Sequence, residues 1–458
     1  AVISNERAAG RTGMGAVLGW KNVKAIAVCG NHDTPVHDPS ATKKWCQKWF
    51  RYLRNHPLTG NQLPRMGTAG LVSSMQMRGL LATKNYTEGR FEHFDKVNGE
   101  TLAEEYNIVN KGCLSCPIKC ARTVTVEGED VKGPELETLG LLGGGILNKD
   151  LYHILKWNKE LDDLGLDTIS AANTLAYAME ANERGLWDNG LKFGDIEVIS
   201  KIWDDIAFRR GIGNELAEGS KRLSEKYGGK EFAMQSKGLE LAAYEPRRAV
   251  GQGLGYAVSN RGGCHLNGGY LVILEGLGLN IDAQTPHAKA DFTMMFQDLM
   301  EMISATGQCL FTSYAFFPGF LITRPNGAIT SAANKLLPHL GWAIRLMNKF
   351  PRVLAFHLPV FHHTKMMQKA VGMPMTFGKY LQTGERGFNL ERAVNVRFGV
   401  SAAKDSLPKR LTDVPQDPND PRTRVPLEQM KKIYYQARGW DKSGIPTCRT
   451  LKKLKLAR

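Results

Sequence analysis

Along most of this chain apolar residues recur three and four positions apart, and a strict apolar–polar alternation is rare. That periodicity predicts amphipathic helices over 41–56, 101–110, 149–164, 168–184, 195–208, 214–227, 288–306 and 330–348, the sixth opening on Asn214 as its cap. A strand-like apolar run covers 25–29, glycines at 143–145 mark a turn, and 392–438 mixes a helix with a proline-rich loop over 408–426. The apolar runs 270–274 and 316–322 are short core segments. None approaches the ~18–20 residues that a membrane span requires. There is no internal repeat and no low-complexity stretch. The expectation is a mainly α-helical chain.

At 458 residues the chain has room for two to three domains. Its formal net charge of +15 means that the surface attracts anions, whether nucleic acid, acidic proteins or anionic substrates. The cations are scattered, dense only over 449–458, and no aromatic-interleaved basic stretch of the RNA-binding kind occurs. A solvated basic surface is the expectation, with no nucleic acid and no membrane among its partners. The chain opens on Ala1 inside what reads as a structured motif, which suggests that further sequence precedes it.

Cysteine is sparse, eight in all, yet three fall within Cys113-Leu-Ser-Cys116-Pro-Ile-Lys-Cys120. The C-x2-C-x3-C spacing lets three thiolates converge on one metal centre without a long loop. A tetrahedral zinc or a cubane iron–sulfur cluster needs a fourth ligand. No second C-x2-C knuckle exists, which disfavours zinc. Cys29, Cys46, Cys264, Cys309 and Cys448 are the candidates for the fourth position. A disulfide framework does not suit a long, cysteine-poor chain, and reduced metal cysteines point to the cytoplasm.

Glycines at 10, 13, 15 and 19 with cations at 7, 11, 21 and 24 make an opening loop able to approach an anion closely, a phosphate being the natural ligand. Glu135 and Glu137 follow a Gly133-Pro134 turn, where a helix N-terminus alone would favour negative charge. His265 sits in Arg261-Gly-Gly-Cys-His265, too glycine-rich for a regular core helix and a candidate for proton transfer.

Together these motifs resemble the aldehyde:ferredoxin oxidoreductase family of tungsten, occasionally molybdenum, pterin enzymes. The resemblance runs from Arg7 to about Leu456. It is carried in order by Arg7-Ala-Ala-Gly-Arg-x-Gly-x-Gly-Ala-Val-x-Gly, the cysteine knuckle, Gly133-Pro-Glu-x-Glu137, Asp162-x-x-Gly165-Leu166-Asp167-Thr-Ile-Ser, Gly253-Leu-Gly-Tyr, Arg261-Gly-Gly-Cys-His265, Gly307-x-Cys309-Leu-Phe-Thr and Tyr434-Tyr-x-x-Arg-Gly-Trp440.

The resemblance implies a family fold of α+β class. In this chain it implies the end of a β-rich N-terminal pterin-binding domain over 1–35, a central helical domain over 36–234 and a C-terminal helical domain over 235–458. It implies a [4Fe-4S] cluster on Cys113, Cys116, Cys120 and Cys309. It further implies a bis-pterin metal held by two turns, one of Asp162, Gly165, Leu166 and Asp167, the other of Ser304, Gly307 and Gln308. Arg7 would link cofactor and cluster, and Ala8 would contact the Mg2+ that bridges the pterin phosphates. Glu137 would accept a proton from attacking water or hydroxide, and His265 would polarise the substrate carbonyl. The second turn departs from the family's Asp-x-x-Gly-Leu-Cys, with Ser304 and Gln308 where a carboxylate and a leucine are usual.

Three functions follow in descending order. The first is aldehyde oxidation with electrons passed to ferredoxin, by a homodimer or a complex subunit. The second is a catalytic subunit of a larger tungsten-pterin complex acting on a non-aldehyde substrate such as an aromatic acyl-CoA. The third is a metal-stabilised nucleic-acid-binding protein without enzymatic activity.

Overall fold

The computed structural model describes residues 1–4, 7–277, 279, 281–350 and 361–457. Asn5 and Glu6 of the opening loop and Arg458 of the basic tail lie outside them. The described chain is 55 % helix and 7 % strand, in keeping with its 3.6-residue periodicity. It opens with a small antiparallel hairpin, β1 (Val2–Ser4) and β2 (Arg7–Ala9), followed by the short helix α1 (Met14–Trp20). Helix α2 (Pro39–Asn55) begins where Asp38 accepts the Ala41 N–H at 2.9 Å, with proline in its first turn.

A three-stranded antiparallel meander comes next: β3 (Val109–Lys111), β4 (Ala121–Val126) and β5 (Glu129–Lys132). Its register sets Lys111 opposite Ala121 and Val124 opposite Val131. The cysteine knuckle is the connection between β3 and β4. Its three thiols are thus presented on a loop whose ends the sheet holds together.

Helices α3 (Leu136–Leu142), α4 (Leu151–Asp163) and α5 (Thr168–Glu183) form the middle of the molecule. Asp150 and Asp167 cap the latter two by accepting from His153 N and Ser170 N. Helix α5 is buried over most of its surface, from Ile169 through Ala181, which makes it a core helix. Each fully buried Leu or Met there contributes about 1.5–3 kcal/mol. Further on are α6 (Val250–Val258), α7 (Lys289–Ala305), α8 (Phe377–Arg397), α9 (Leu427–Arg438) and α10 (Cys448–Lys453). One contiguous core runs from Leu58 to Trp440, and a smaller one gathers Leu299, Ile303, Phe361, Tyr380 and Leu381.

Ion pairs between distant segments lock these layers. Glu180 of α5 accepts from Asn85 Nδ2 and Arg410 Nη1, both at 2.7 Å, and Arg410 Nη1 also donates to the Asn85 carbonyl at 2.8 Å. Arg438 of α9 donates to Asp298 and Gln297 of α7 at 2.5 and 2.8 Å while its guanidinium lies over Phe388 of α8.

Several expected elements differ. The helix expected over 101–110 is Gly99–Glu105, capped by Asn98, and then gives way to β3. The helix expected over 195–208 splits into Ile196–Ile199 and Ile202–Ala207, with Ser200 at the break accepting the Trp157 indole N–H at 3.1 Å. Asn214 caps nothing: it lies inside Ile212–Leu216, and a second helix, Gly219–Tyr227, begins at a glycine with φ +80° where Glu240 accepts from Ser220 N and Oγ. The helix expected over 330–348 breaks at Pro338 into Ala328–Leu336, a single turn and Gly341–Lys349. The run 25–29 is no strand. Among the described residues it has no partner strand, and Ile26 and Val28 are 77 % and 91 % exposed.

Candidate active site

Glu135 and Glu137 stand at the start of α3. Glu135 occupies the position just before the helix, and Thr68 clamps it there, donating to Glu135 Oε2 at 2.5 Å while accepting Leu136 N at 3.0 Å. Glu137, in the first turn, points the other way. Its Oε1 lies 3.3 Å from His265 Nε2 and accepts from Tyr244 OH at 3.2 Å. The Tyr244 hydroxyl is 3.1 Å from Tyr270 OH, which is 2.9 Å from Tyr314 OH. A carboxylate, an imidazole and three phenols, drawn from four separate segments, thus form one connected polar network. The sequence singled out only its first two members.

Electrostatics distinguishes the two ends of the Glu137–His265 contact. Burial pushes the Glu137 carboxyl up to about 7, with the neighbouring Glu135 charge adding to it and the Tyr244 hydrogen bond and Arg11 opposing. Burial and then the Arg11 charge push His265 down to about 3. The imidazole is therefore neutral near pH 7, and the contact is a hydrogen bond within a pair that shares protons. His265 Nδ1 is buried and has no partner among the described residues, so one ring nitrogen is left for an incoming oxygen.

Arg11 fastens the opening loop over this site. Its guanidinium donates to the Glu240 carbonyl, to Gly263 O at 3.3 Å and to Asp167 Oδ2 at 3.4 Å. The sequence offered it only as one of four loop cations. Arg7 and Ala8 lie exposed on β2, and the Arg7 charge reaches Cys120.

The two motif turns share one backbone design. At the end of α4, Gly165 adopts φ +69° with Gly165 N donating to Asp162 O and Leu166 N to Leu161 O. At the end of α7, Gly307 adopts φ +66° with Gly307 N donating to Ser304 O and Gln308 N to Ile303 O. Both are helix-ending turns in which glycine supplies the left-handed residue. Asp162 is buried and paired with Lys132 at 3.3 Å, and Asp167 caps α5. At the second turn Ser304 is exposed and the Gln308 amide oxygen accepts from Tyr380 OH at 2.8 Å. A cavity of about 180 Å³ opens beside it, lined by Arg261, Asn267, Glu301, Ser304, Gln308 and Leu310 among others. Glu301, pushed up to about 7 by burial and then by Glu391, brings a carboxyl to the space that Ser304 faces.

All eight cysteines are free thiols. Cys116 and Cys120 pack against the core, Cys113 and Cys309 are exposed, and Ile118 N donates to Cys116 Sγ at 3.4 Å. Among the described residues no three His, Cys, Asp or Glu side chains converge tightly on a single-ion position. Yet the four cysteines of the expected cluster feel one another. Burial, Glu135, Cys309 and Cys116 push Cys120 up to about 12, and burial with Cys116 and Cys113 raises Cys309. Crowded thiolates of this kind suit a cationic centre, which reverses their mutual repulsion and stabilises the deprotonated form. The knuckle and residue 309 thus bring four thiols within electrostatic reach of one another.

Residues 44–456 match the family described as aldehyde ferredoxin oxidoreductase, domains 2 and 3. The chain is 38 % identical over 461 residues to the tungsten-containing aldehyde ferredoxin oxidoreductase of Thermococcus kodakarensis, covering 97 % of this chain and 69 % of that one. This chain belongs to the aldehyde ferredoxin oxidoreductase family. The Pyrococcus furiosus enzyme of the same description is 38 % identical, with the same coverage. The aliphatic sulfonate oxidoreductase WOR-like subunit of that organism is 28 % identical over 288 residues, 56 % of this chain and 44 % of its own. Among solved structures, the active-site complex BamBC of benzoyl coenzyme A reductase with 1,5-dienoyl-CoA shares the fold. Its TM-score is 0.70 at 20 % identity, over 97 % of this chain and 69 % of that one. Membership makes the chain an oxidoreductase. No described helix is long and apolar enough to cross a membrane.

Proposed function

We propose that this chain oxidises an aldehyde to a carboxylic acid in the cytoplasm, passing two electrons one at a time to a ferredoxin-type carrier. The observation that carries the reading is the Glu137–His265 contact at 3.3 Å, set in a tyrosine network and walled from water except for 15 % and 13 % of the two side chains. Asp162, Gly165, Leu166 and Asp167 would hold one pterin of a tungsten or molybdenum bis-pterin, and Ser304, Gly307 and Gln308 the other, with Glu301 adding a carboxyl. Arg7 and Ala8 would sit by the Mg2+ and phosphates, and Cys113, Cys116, Cys120 and Cys309 would hold the [4Fe-4S] cluster. Bound there, these groups would supply the two-electron redox chemistry and the one-electron outlet.

The protein's own side chains handle protons and orientation. Oxidation of R–CHO with water to R–COOH releases two electrons and two protons. Ionised Glu137 accepts the proton of the attacking water, and the tyrosine network, ending on Tyr314, stabilises the carboxylate by hydrogen bonding. As Glu137 takes up that proton it donates to His265 Nε2, so the neutral imidazole carries its own proton on Nδ1, from which it donates to the substrate oxygen and stabilises the charge developing there. The absence of a carboxylate at Ser304 favours a second reading, a complex subunit acting on a non-aldehyde substrate such as an aromatic acyl-CoA. Assay of the chain loaded with tungsten, pterin and iron, using aldehydes and a viologen dye, tests the choice. Aldehyde-dependent dye reduction that is lost in Glu137→Gln supports the first, whereas turnover on acyl-CoA alone would overturn it.

A further inference from the structure

Helix α2 divides sharply into two faces. Lys43, Lys44, Lys48, Arg51 and Arg54 are all exposed, at spacings that line them along one side over about 17 Å at a rise of 1.5 Å per residue. The helix contains no acidic residue, and none of these five cations is in a salt bridge among the described residues. The opposite face buries Leu53 and half-buries Trp45, Trp49 and Tyr52. Trp49 stacks on His362 at 5.8 Å between ring centroids and meets His363 edge-on at 4.9 Å. His363 Nε2 lies 2.8 Å from Thr312 Oγ1, which donates to the Cys309 carbonyl at 2.5 Å. Tyr52 OH adds a bond to Ala315 O at 2.8 Å on the same loop.

We propose that the basic face of α2 is the docking surface for a small acidic iron–sulfur electron carrier, connected to Cys309 through Trp49, His363 and Thr312. The proposal rests on the reading that Cys309 ligates the cluster. In the transfer, one electron leaves the reduced cluster and the carrier's iron–sulfur centre gains it. No bond is made or broken, no proton moves, and the intervening side chains serve only as a packed route. A row of cations without carboxylate partners among the described residues, Lys48 resting over the Trp45 ring at 4.8 Å, steers an anionic partner and fixes its orientation. The face does not suit single-stranded nucleic acid, since its aromatic rings are turned inward and cannot stack on bases. Nor does it suit a lipid surface, which needs an exposed apolar stripe.

The test is calorimetric titration of the cofactor-loaded chain with a small acidic ferredoxin at several ionic strengths. It compares the Lys44→Glu, Lys48→Glu, Arg51→Glu variant with a control reversed at Arg449, Lys452 and Lys453 of α10. The α2 variant is expected to bind at least about tenfold more weakly and with a flatter salt dependence, while the control and wild type agree. Should charge reversal unfold α2, seen as lost helical dichroism, the Lys44→Gln, Lys48→Gln, Arg51→Gln variant is expected to weaken binding about threefold or more. Binding within twofold of wild type by the folded variants, equal loss in the control, undetectable wild-type binding, or tighter binding of a short duplex DNA to the same face would each overturn the proposal. Dye-linked aldehyde oxidation, which bypasses the carrier, is expected to be unchanged in these variants. Its absence in the wild type would sink the functional reading separately, leaving the binding data to judge the face.

Discussion

Glu137 Oε1 and His265 Nε2 lie 3.3 Å apart, and the same burial moves their titrations in opposite directions, the carboxyl up to about 7 and the imidazole down to about 3. Burial disfavours whichever form is charged, so both groups are pushed toward neutrality. A base must be ionised to accept a proton, so turnover is expected to rise with pH through about 7, and His265, neutral throughout, adds no second limb. Glu137→Gln is expected to lower kcat by ~10²–10⁴ and to erase the limb. A flat profile in the wild type would refute the assignment.

Tyr244 donates to the ionised form of Glu137 and so favours it. Tyr244→Phe removes that bond, and the rising limb is expected to move to higher pH while KM changes little. A limb that stays in place would show that the tyrosine network does not reach the base.

The thiols make a spectroscopic prediction. Cys309→Ser is expected to lower the iron content and bleach the visible absorption of anaerobically reconstituted protein. Cys29→Ser and Cys448→Ser, at exposed cysteines away from the knuckle, are expected to leave both unchanged. Full colour in Cys309→Ser would move the fourth ligand elsewhere.

The two helix-ending turns should differ in strength. Asp162 offers a charged acceptor and Ser304 a neutral one, and charge-assisted hydrogen bonds are roughly twice as strong. Asp162→Ala is therefore expected to cost more retained pterin per chain after gel filtration than Ser304→Ala. Equal losses would imply that Glu301 or the backbone dominates at both turns.

Stability has its own test at Asp405. Arg392 donates to it twice, at 3.0 and 2.7 Å, Lys237 lies at 2.8 Å and Tyr435 OH donates at 2.6 Å. Burial raises its carboxyl, but Lys237 and Arg392 outweigh burial and hold it below the ordinary range. A lowered folded-state value means stability that is present above the unfolded carboxylate range and lost as pH falls through the folded value. Asp405→Asn, which strands two buried cations, is expected to cost about 3–5 kcal/mol at neutral pH. In chemical denaturation the difference from wild type should shrink in acid.

The local signals in the sequence were the readable ones. The cysteine spacing marked the knuckle, and the regular apolar periods marked α4, α5 and α7 to within about two residues. What escaped depended on contacts between distant segments. Tyr244, Tyr270 and Tyr314 look like ordinary core residues until three segments meet. Helix α6 is hidden because glycines at 251, 253 and 255 read as loop. A Cβ at Gly255 would stand 2.4 Å from the Gly268 carbonyl oxygen, so the position is small to let two backbones touch. The run 25–29 had the composition of a strand but no described partner, and a strand without a ladder is only an exposed apolar segment.

The junction of Glu180 with Asn85 and Arg410 bears on how the molecule comes to be made. Asn85 and Arg410 lie 95 and 230 residues from Glu180 in sequence, whereas its other cationic partner, Arg184, lies one helical turn away at 2.7 Å. Contacts of that reach make for slow folding with a large loop-closure cost. The nascent chain therefore holds Glu180 by its local Arg184 pair alone until residue 410 arrives to close the junction. Slow translation at low temperature is expected to raise the soluble yield more than a stronger promoter does.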